Sequence, residues 1–209
     1  MTKRAWVELI ISNISGGATP ADLDSRYHPL VIGKLFGVAY ANIISDIAKQ
    51  ASKAKDWSQF DAYLKSYKNV AVLHDEDRDE YYSLLPASII ELRENRGIRL
   101  ISPMQDQRNK FDYIDSDSES MWGELEAGNI PEGTQYYREG GKIYYRNFFQ
   151  AYITPGLLFK LLVPLSEFDD EEEIGVPSER SIEIFNIIRD MLQKRQPEES
   201  ANDNTSKQV

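Results

Sequence analysis

The chain has 209 residues, with 24 basic against 34 acidic side chains for a formal net charge of −10, and it is 41% hydrophobic and 28% charged. That composition supports a buried core and excludes global disorder, and the length fits one domain or a domain with an appendage. There is no cysteine, which excludes disulfides, thiolate zinc sites, iron–sulfur clusters and a cysteine nucleophile. His28 and His74 are the only histidines, so a multi-histidine metal site or a Ser-His-Asp triad has little material. No apolar run approaches the roughly 18–20 residues that span a bilayer, and the opening MTKRAWVELII does not read as a signal peptide.

The charge is unevenly placed. Glu167, Asp169, Asp170, Glu171, Glu172 and Glu173 form one dense acidic run, and Glu198, Glu199 and Asp203 outweigh Lys207 in the tail. The remainder is near neutral and shows no basic face of the kind a sequence-independent nucleic-acid binder needs. Tight binding to DNA or to an anionic membrane is therefore not expected.

Trp6, Leu9, Ile10 and Ile14 fall at helical spacing, which predicts a helix over Ala5–Ile14, stopped by Gly16-Gly17. After a polar linker, Pro29 can open a second helix running to about Ala51. Ile32, Leu35, Phe36, Ala39, Ile43 and Ile47 supply its apolar stripe. Gly33 and Gly37 sit four apart on an adjoining face, extended by Ala41 and Ile44. Each glycine costs a helix about 1 kcal/mol against alanine, so two on one face suggest close approach of another backbone, from this chain or from another subunit. The first two helices then form a helical hairpin, and a short third helix spans Trp57–Tyr67.

From Val70 the pattern turns to strands. Val70–Leu73 and Tyr81–Leu85 predict a hairpin across the polar Asp75–Asp79, and Ile98–Ile101 predicts a further strand. Tyr136–Arg138 and Lys142–Tyr145 flank Gly140-Gly141, the clearest hairpin signal in the chain. Leu157–Leu165 reads as a long apolar strand. Ser178 is placed to cap a last helix whose apolar face is Ile184, Ile187, Ile188, Met191 and Leu192. The polar tail from Gln196 is expected to be disordered in isolation. The fold class is thus α+β: a helical region over 1–68, a β-rich region over 69–165, an acidic loop over 166–177, a C-terminal helix over 178–195 and a flexible acidic tail over 196–209.

Candidate chemistry is sparse. No Walker loop, dinucleotide fingerprint, HExxH or nucleophile elbow occurs, so no catalytic residue and no cofactor is assigned. His74 with Asp75, Glu76 and Asp77 is an unconvincing cation site, because neighbours on a strand point to alternate sides. Asp115, Asp117, Glu119 and Glu126 mimic the spacing of a calcium loop but place Ser120 where that loop needs glycine; they are a weak metal candidate beside the reading as a polar surface loop. The aromatics Tyr81, Tyr82, Tyr136, Tyr137, Tyr144, Tyr145, Phe148 and Phe149 must cover both faces of their strands. A base-stacking platform would interleave cations, and only Arg138, Lys142 and Arg146 do so. Subunit contact is the preferred use of the second face, with Tyr137, Tyr145 and Phe148 as contact candidates beside Gly33 and Gly37. The acidic run over 167–173 reads as a solvated loop, or as a carboxylate surface facing DNA or a cation-rich partner.

The stretches RAWVELIISNISGG, DSRYHPLVIGKLFGVAYANII, LPASIIELRENRGIRLISP and the ending QPEESANDN resemble virion structural proteins of tailed phages of Bacteroidetes, especially the crAss-like group. The resemblance implies a non-enzymatic subunit of a ring in the neck between portal and tail, a head-to-tail adaptor that is commonly dodecameric. Its implied partners are copies of itself, the portal and other neck or tail proteins, and its implied location is the virion. No catalytic residues come with the resemblance. The acidic run would then line or flank the DNA channel. Alternatives from other classes are an assembly factor absent from the mature particle and a small cation-dependent binding domain.

Overall fold

The computed structural model describes residues 1–16, 27–92, 97–114 and 133–194. The weak metal candidates Asp115, Asp117, Glu119 and Glu126, and the tail over 196–209, lie outside the described residues. The chain is α+β, with helices at both ends of a β-rich middle. It divides into two compact units, Met1–Lys55 with Phe168–Val209, and Asp56–Glu167.

Among the described residues, the first unit is built on three helices, α1 (Lys3–Ile14), α2 (Pro29–Ala54) and α3 (Ser181–Lys194). Thr2 caps α1 by accepting from the Ala5 N–H at 3.2 Å. His28 caps α2 through Nδ1, and Pro29 occupies its first turn, where a missing N–H costs nothing. Lys55, in the left-handed region, ends α2. The helices pack on one another along the stripe read from the sequence: Ile32, Leu35, Phe36, Ala39, Ile43 and Ile47 are buried, as are Trp6 and Ile10 of α1 and Ile184, Ile188 and Leu192 of α3. Trp6 lies against Phe36 with ring centroids 5.8 Å apart. Contrary to the expectation that no segment could span a bilayer, α2 is long and apolar enough to do so by length and composition. Polar residues interrupt its apolar positions in sequence but leave a 26-residue helix, and the apolar stripe is spent on the core of this unit.

The acidic segment joins the same unit in a way that its composition conceals. Phe168 and Ile174 are buried at its two ends, and the backbone between them straps across the start of α1. The N–H groups of Lys3 and Arg4 donate to the carbonyls of Glu172 (3.0 Å) and Asp170 (2.9 Å), and the Ile174 N–H donates to the Met1 carbonyl (2.9 Å). Lys3 Nζ adds the Phe168 carbonyl at 2.8 Å and the Asp170 carboxylate at 3.3 Å. The first N–H groups of a helix have no partner within it, and its N-terminus favours negative charge. The first turn of α1 holds no acidic residue, so the strap provides both acceptors and carboxylates. The carboxylates themselves stay in water, with the Asp170 and Glu171 side chains 75% exposed. The expected solvated loop is thus solvated in its side chains and fixed in its backbone.

The described residues of the second unit form two sheets. The first runs β1 (Leu64–Val70), β8 (Leu157–Leu162), β4 (Ile98–Pro103), all antiparallel. The second runs β2 (Leu73–Asp75), β3 (Glu80–Leu84), β7 (Lys142–Arg146), β6 (Gln135–Glu139), β5 (Asp112–Tyr113), with only the last pair parallel. The expected third helix is shorter and different: Ser58–Tyr63 is a 3₁₀ turn, and Leu64–Tyr67 is strand. Pairing decides this. The central strand β8 is buried on both faces, and its backbone would present an unpaired edge were β1 not hydrogen-bonded along it. The expected boundary at 68 falls inside β1. Val70 ends β1 and Leu73 opens β2, in separate sheets, and β1 is itself bulged between Tyr67 and Val70, where Asn69 takes positive φ. The hairpin onto β3 forms, but its first strand is Leu73–Asp75 rather than Val70–Leu73, so Asp75, expected in the loop, pairs with Glu80. That at Gly140 forms as read, with φ +60° at Gly140.

Candidate interaction surface

Register sorts the tyrosines of the larger sheet onto two faces, since alternate residues of a strand point opposite ways. Tyr82, Tyr144 and Tyr137 form one row across β3, β7 and β6, and Tyr81, Tyr145 and Tyr136 form the next.

The first row is a polar network laid over aromatic rings. Tyr137 and Tyr144 stack at 5.3 Å with planes 15° apart. Arg78 lies 4.8 Å over the Tyr144 ring and Lys142 lies 4.4 Å over Tyr82, distances at which the ring quadrupole attracts a cation. Carboxylates close the network. Glu139 takes a two-pronged bond from Arg78, the Tyr137 hydroxyl donates to Glu80, and the Tyr144 hydroxyl donates to Asp75 at 3.2 Å. Lys142 Nζ stands 3.7 Å from the same Asp75 carboxylate. Partial burial lifts the pKa of Asp75, but the Tyr144 hydrogen bond and the charge of Lys142 more than undo this and leave it below its ordinary value. The Arg78 hydrogen bond holds Glu139 below the glutamate range, against partial burial. Contact with the Tyr144 hydroxyl raises Lys142, again against partial burial.

Both carboxyls therefore titrate lower in the folded state than in the unfolded one. Their contribution is complete above the unfolded carboxyl pKa of about 4 and is lost as pH falls through the folded values. The thermal midpoint followed by circular dichroism should drop on acidification below about pH 4, and Asp75→Asn should flatten that part of the profile. A profile unchanged by Asp75→Asn would disconnect the network from stability.

The second row is apolar. Tyr145 packs on Phe148 at 5.1 Å and edge-on to Phe111 at 5.7 Å, and Phe148 also meets Tyr81 at 5.2 Å. Burial pushes the Tyr145 hydroxyl far above its ordinary pKa. Tyr152 completes the cluster, its hydroxyl accepting from Asn109 Nδ2 at 2.7 Å.

Of the expected contact aromatics, Tyr137 and Tyr145 are buried and Phe148 is half-buried. The ring that reaches solvent is Phe149, 65% exposed. The simple alternation used to place these rings ends at Asn147, which takes positive φ, and the chain then turns through a 3₁₀ segment at Gln150–Tyr152. The cations expected to interleave a base-stacking platform are engaged: Arg138 with Glu91, Lys142 with Asp75, and Arg146 5.8 Å over the Tyr137 ring. His74 and Asp75 point to opposite faces, as adjacent strand residues should. His74 packs on Tyr81 and reaches Asp79 at 3.2 Å, while Asp75 serves the network. Among the described residues, no group of three or more His, Asp or Glu is placed to hold a metal.

Gly33 and Gly37 are the other contact candidates. Both lie on the rim of the buried stripe of α2, and no described neighbour comes within 4 Å of where a Cβ would stand on either. Within the described chain, then, no backbone uses the space they leave. Leu30 and Val38, 72% and 49% exposed, lie near them on the outward side of α2, with exposed Lys34 between the two. Of the acidic candidates, Asp169, Asp170, Glu171, Glu172 and Glu173 belong to the strap on α1, and Glu167 ends a 3₁₀ turn in the other unit, accepting from the Ser88 N–H at 3.2 Å.

No family model matches the chain, and no curated protein is detectably similar to it.

Proposed function

We propose that the chain is a structural subunit that works by self-association, a ring component of a phage neck between portal and tail. The observation that carries this reading is the outward face of α2. Two helix-interior glycines cost the folded chain about 2 kcal/mol together, nothing described in the chain occupies the room they leave, and exposed Leu30 and Val38 lie near them. A helix or strand of a neighbouring copy can approach such a face closely. Symmetric rings arise when one surface of a subunit meets a different surface of the next and the rotation closes. Exposed Phe149 and Ile153 on the other unit offer a second apolar surface. The carboxylates of the strap give the protein a surface that repels a duplex over about a Debye length, roughly 8–10 Å at physiological salt, which suits a protein beside a DNA conduit. The resemblance of the opening helices to phage neck proteins supports the same reading.

Quantitative mass spectrometry of purified virions tests it. The chain should be present at a fixed stoichiometry, on the order of 12 copies per particle if the ring is dodecameric. Its presence in infected cells and absence from particles would replace this reading with that of an assembly factor.

A further inference from the structure

A recess on the outer side of the smaller sheet carries chemistry that the ring reading does not use. It holds about 400 Å³ and is lined by Asp61, Ser66, Arg99, Gln107, Lys110 and Lys160, among others. Lys160 stands mid-strand on β8, level with Ser66 of β1 and Leu100 of β4. Every other residue of β8 is buried and apolar, so Lys160 alone brings a charge to this row. Arg99 sits at the register shift of β4, which turns it out of the regular alternation. Its Nη2 donates to the Trp57 carbonyl at 3.3 Å, while its Nε is buried with no hydrogen-bond partner among the described residues.

The charge balance is what singles out this recess. The chain is acidic overall, and its cations are commonly paired: Lys3, Arg4, Lys49, Arg78, Arg138, Lys142 and Arg180 each meet a carboxylate. The recess is lined by three cations and one carboxylate, Asp61, and among the described residues none of the three forms an ion pair with it or with another acidic group. A buried guanidinium N–H without a partner is costly unless something supplies an acceptor. The hydroxyl of Ser66 and the amide of Gln107 add neutral donors at the rim.

We propose that this recess binds a small, multiply charged oxyanion of phosphate chemistry, with Arg99, Lys110 and Lys160 as its cationic ligands. A guanidinium with two ammonium groups is a donor set matched to a phosphate dianion. The volume falls in the range of small-molecule sites, so a phosphate-bearing metabolite fits as well as the free ion. A nucleic-acid backbone is the less suited source, because it needs a track of cations along the surface, and these are gathered in one depression of an acidic protein. The site lies wholly within the second unit and stands independently of the ring reading.

Isothermal titration of the full chain with inorganic phosphate at low ionic strength tests this. Saturable binding with a dissociation constant below about 1 mM is expected. Lys110→Gln and Lys160→Gln should each weaken it roughly tenfold, while Lys34→Gln on α2, outside the recess, should leave it unchanged. Both lysines reach solvent, so these variants keep the fold, and unchanged thermal midpoints verify that. Absence of saturation at about 10 mM phosphate, or equal affinity in all three variants, would overturn the assignment. So would a short DNA duplex binding more tightly than phosphate and losing that affinity in Lys110→Gln and Lys160→Gln.

Discussion

Replacing Gly33 and Gly37 by alanine should raise the stability of the isolated chain and weaken its association, two effects of opposite sign from one change. Alanine gains about 1 kcal/mol over glycine in a helix interior, and neither new methyl group meets a described atom within 4 Å. For a chain of this size a gain of about 2 kcal/mol raises the melting temperature by roughly 4–8 °C. At a contact between copies the same methyls fill the space that lets two backbones approach. Overpacking costs about 1–3 kcal/mol per site, and every 1.4 kcal/mol is a tenfold loss in affinity. Melting at low concentration, with sedimentation over a concentration series, separates the two. A stabilised variant that associates as the wild type does would remove this face of α2 from the interface.

Gly97→Ala should act in the opposite direction and through a different cause. A Cβ on Gly97 would stand 2.4 Å from the backbone carbonyl oxygen of Ile90 and 3.3 Å from Ile89 Cδ1. The side chain can turn away, but the carbonyl cannot easily yield. The Gly97 carbonyl accepts from the Leu162 N–H at 2.9 Å, and the Ile90 N–H donates to the Leu162 carbonyl at 2.8 Å, so both segments are tied to the end of β8. Relief of the clash means breaking one of those bonds or shifting β4 against β8, at a cost of about 3 kcal/mol. A fall of roughly 6–12 °C in the melting temperature follows, with loss of protease resistance centred on Asp56–Glu167. Wild-type stability in Gly97→Ala would mean that the approach of Ile90 to Gly97 is not the arrangement in solution.

These two predictions rest on glycines that the sequence displays equally plainly, yet only neighbours distinguish them. Periodicity finds α2 and its stripe, because Ile32 through Ile47 repeat at helical spacing and that stripe is what the unit buries. It finds the Gly140 hairpin, because a tight turn needs positive φ where the glycine pair stands. It fails at Leu64–Tyr67, where a helical pattern yields to pairing with β8, a partner some ninety residues away in sequence. The strap is hidden for a related reason. A run of carboxylates reads as a loop, and nothing local reveals that Phe168 and Ile174 anchor it or that the N–H groups of Lys3 and Arg4 need its carbonyls. The cationic recess is the least legible feature, since Asp61, Arg99, Lys110 and Lys160 come from separate elements and Lys160 interrupts an otherwise apolar strand.

The central claim concerns assembly, and cryo-electron microscopy of intact particles tests it most directly. The account predicts density for this chain in a closed symmetric ring between portal and tail, with Gly33 and Gly37 of each copy against a neighbouring protein and the carboxylates of Asp169–Glu173 facing solvent or the channel. A neck map at comparable resolution in which every ring is accounted for by other chains would contradict it.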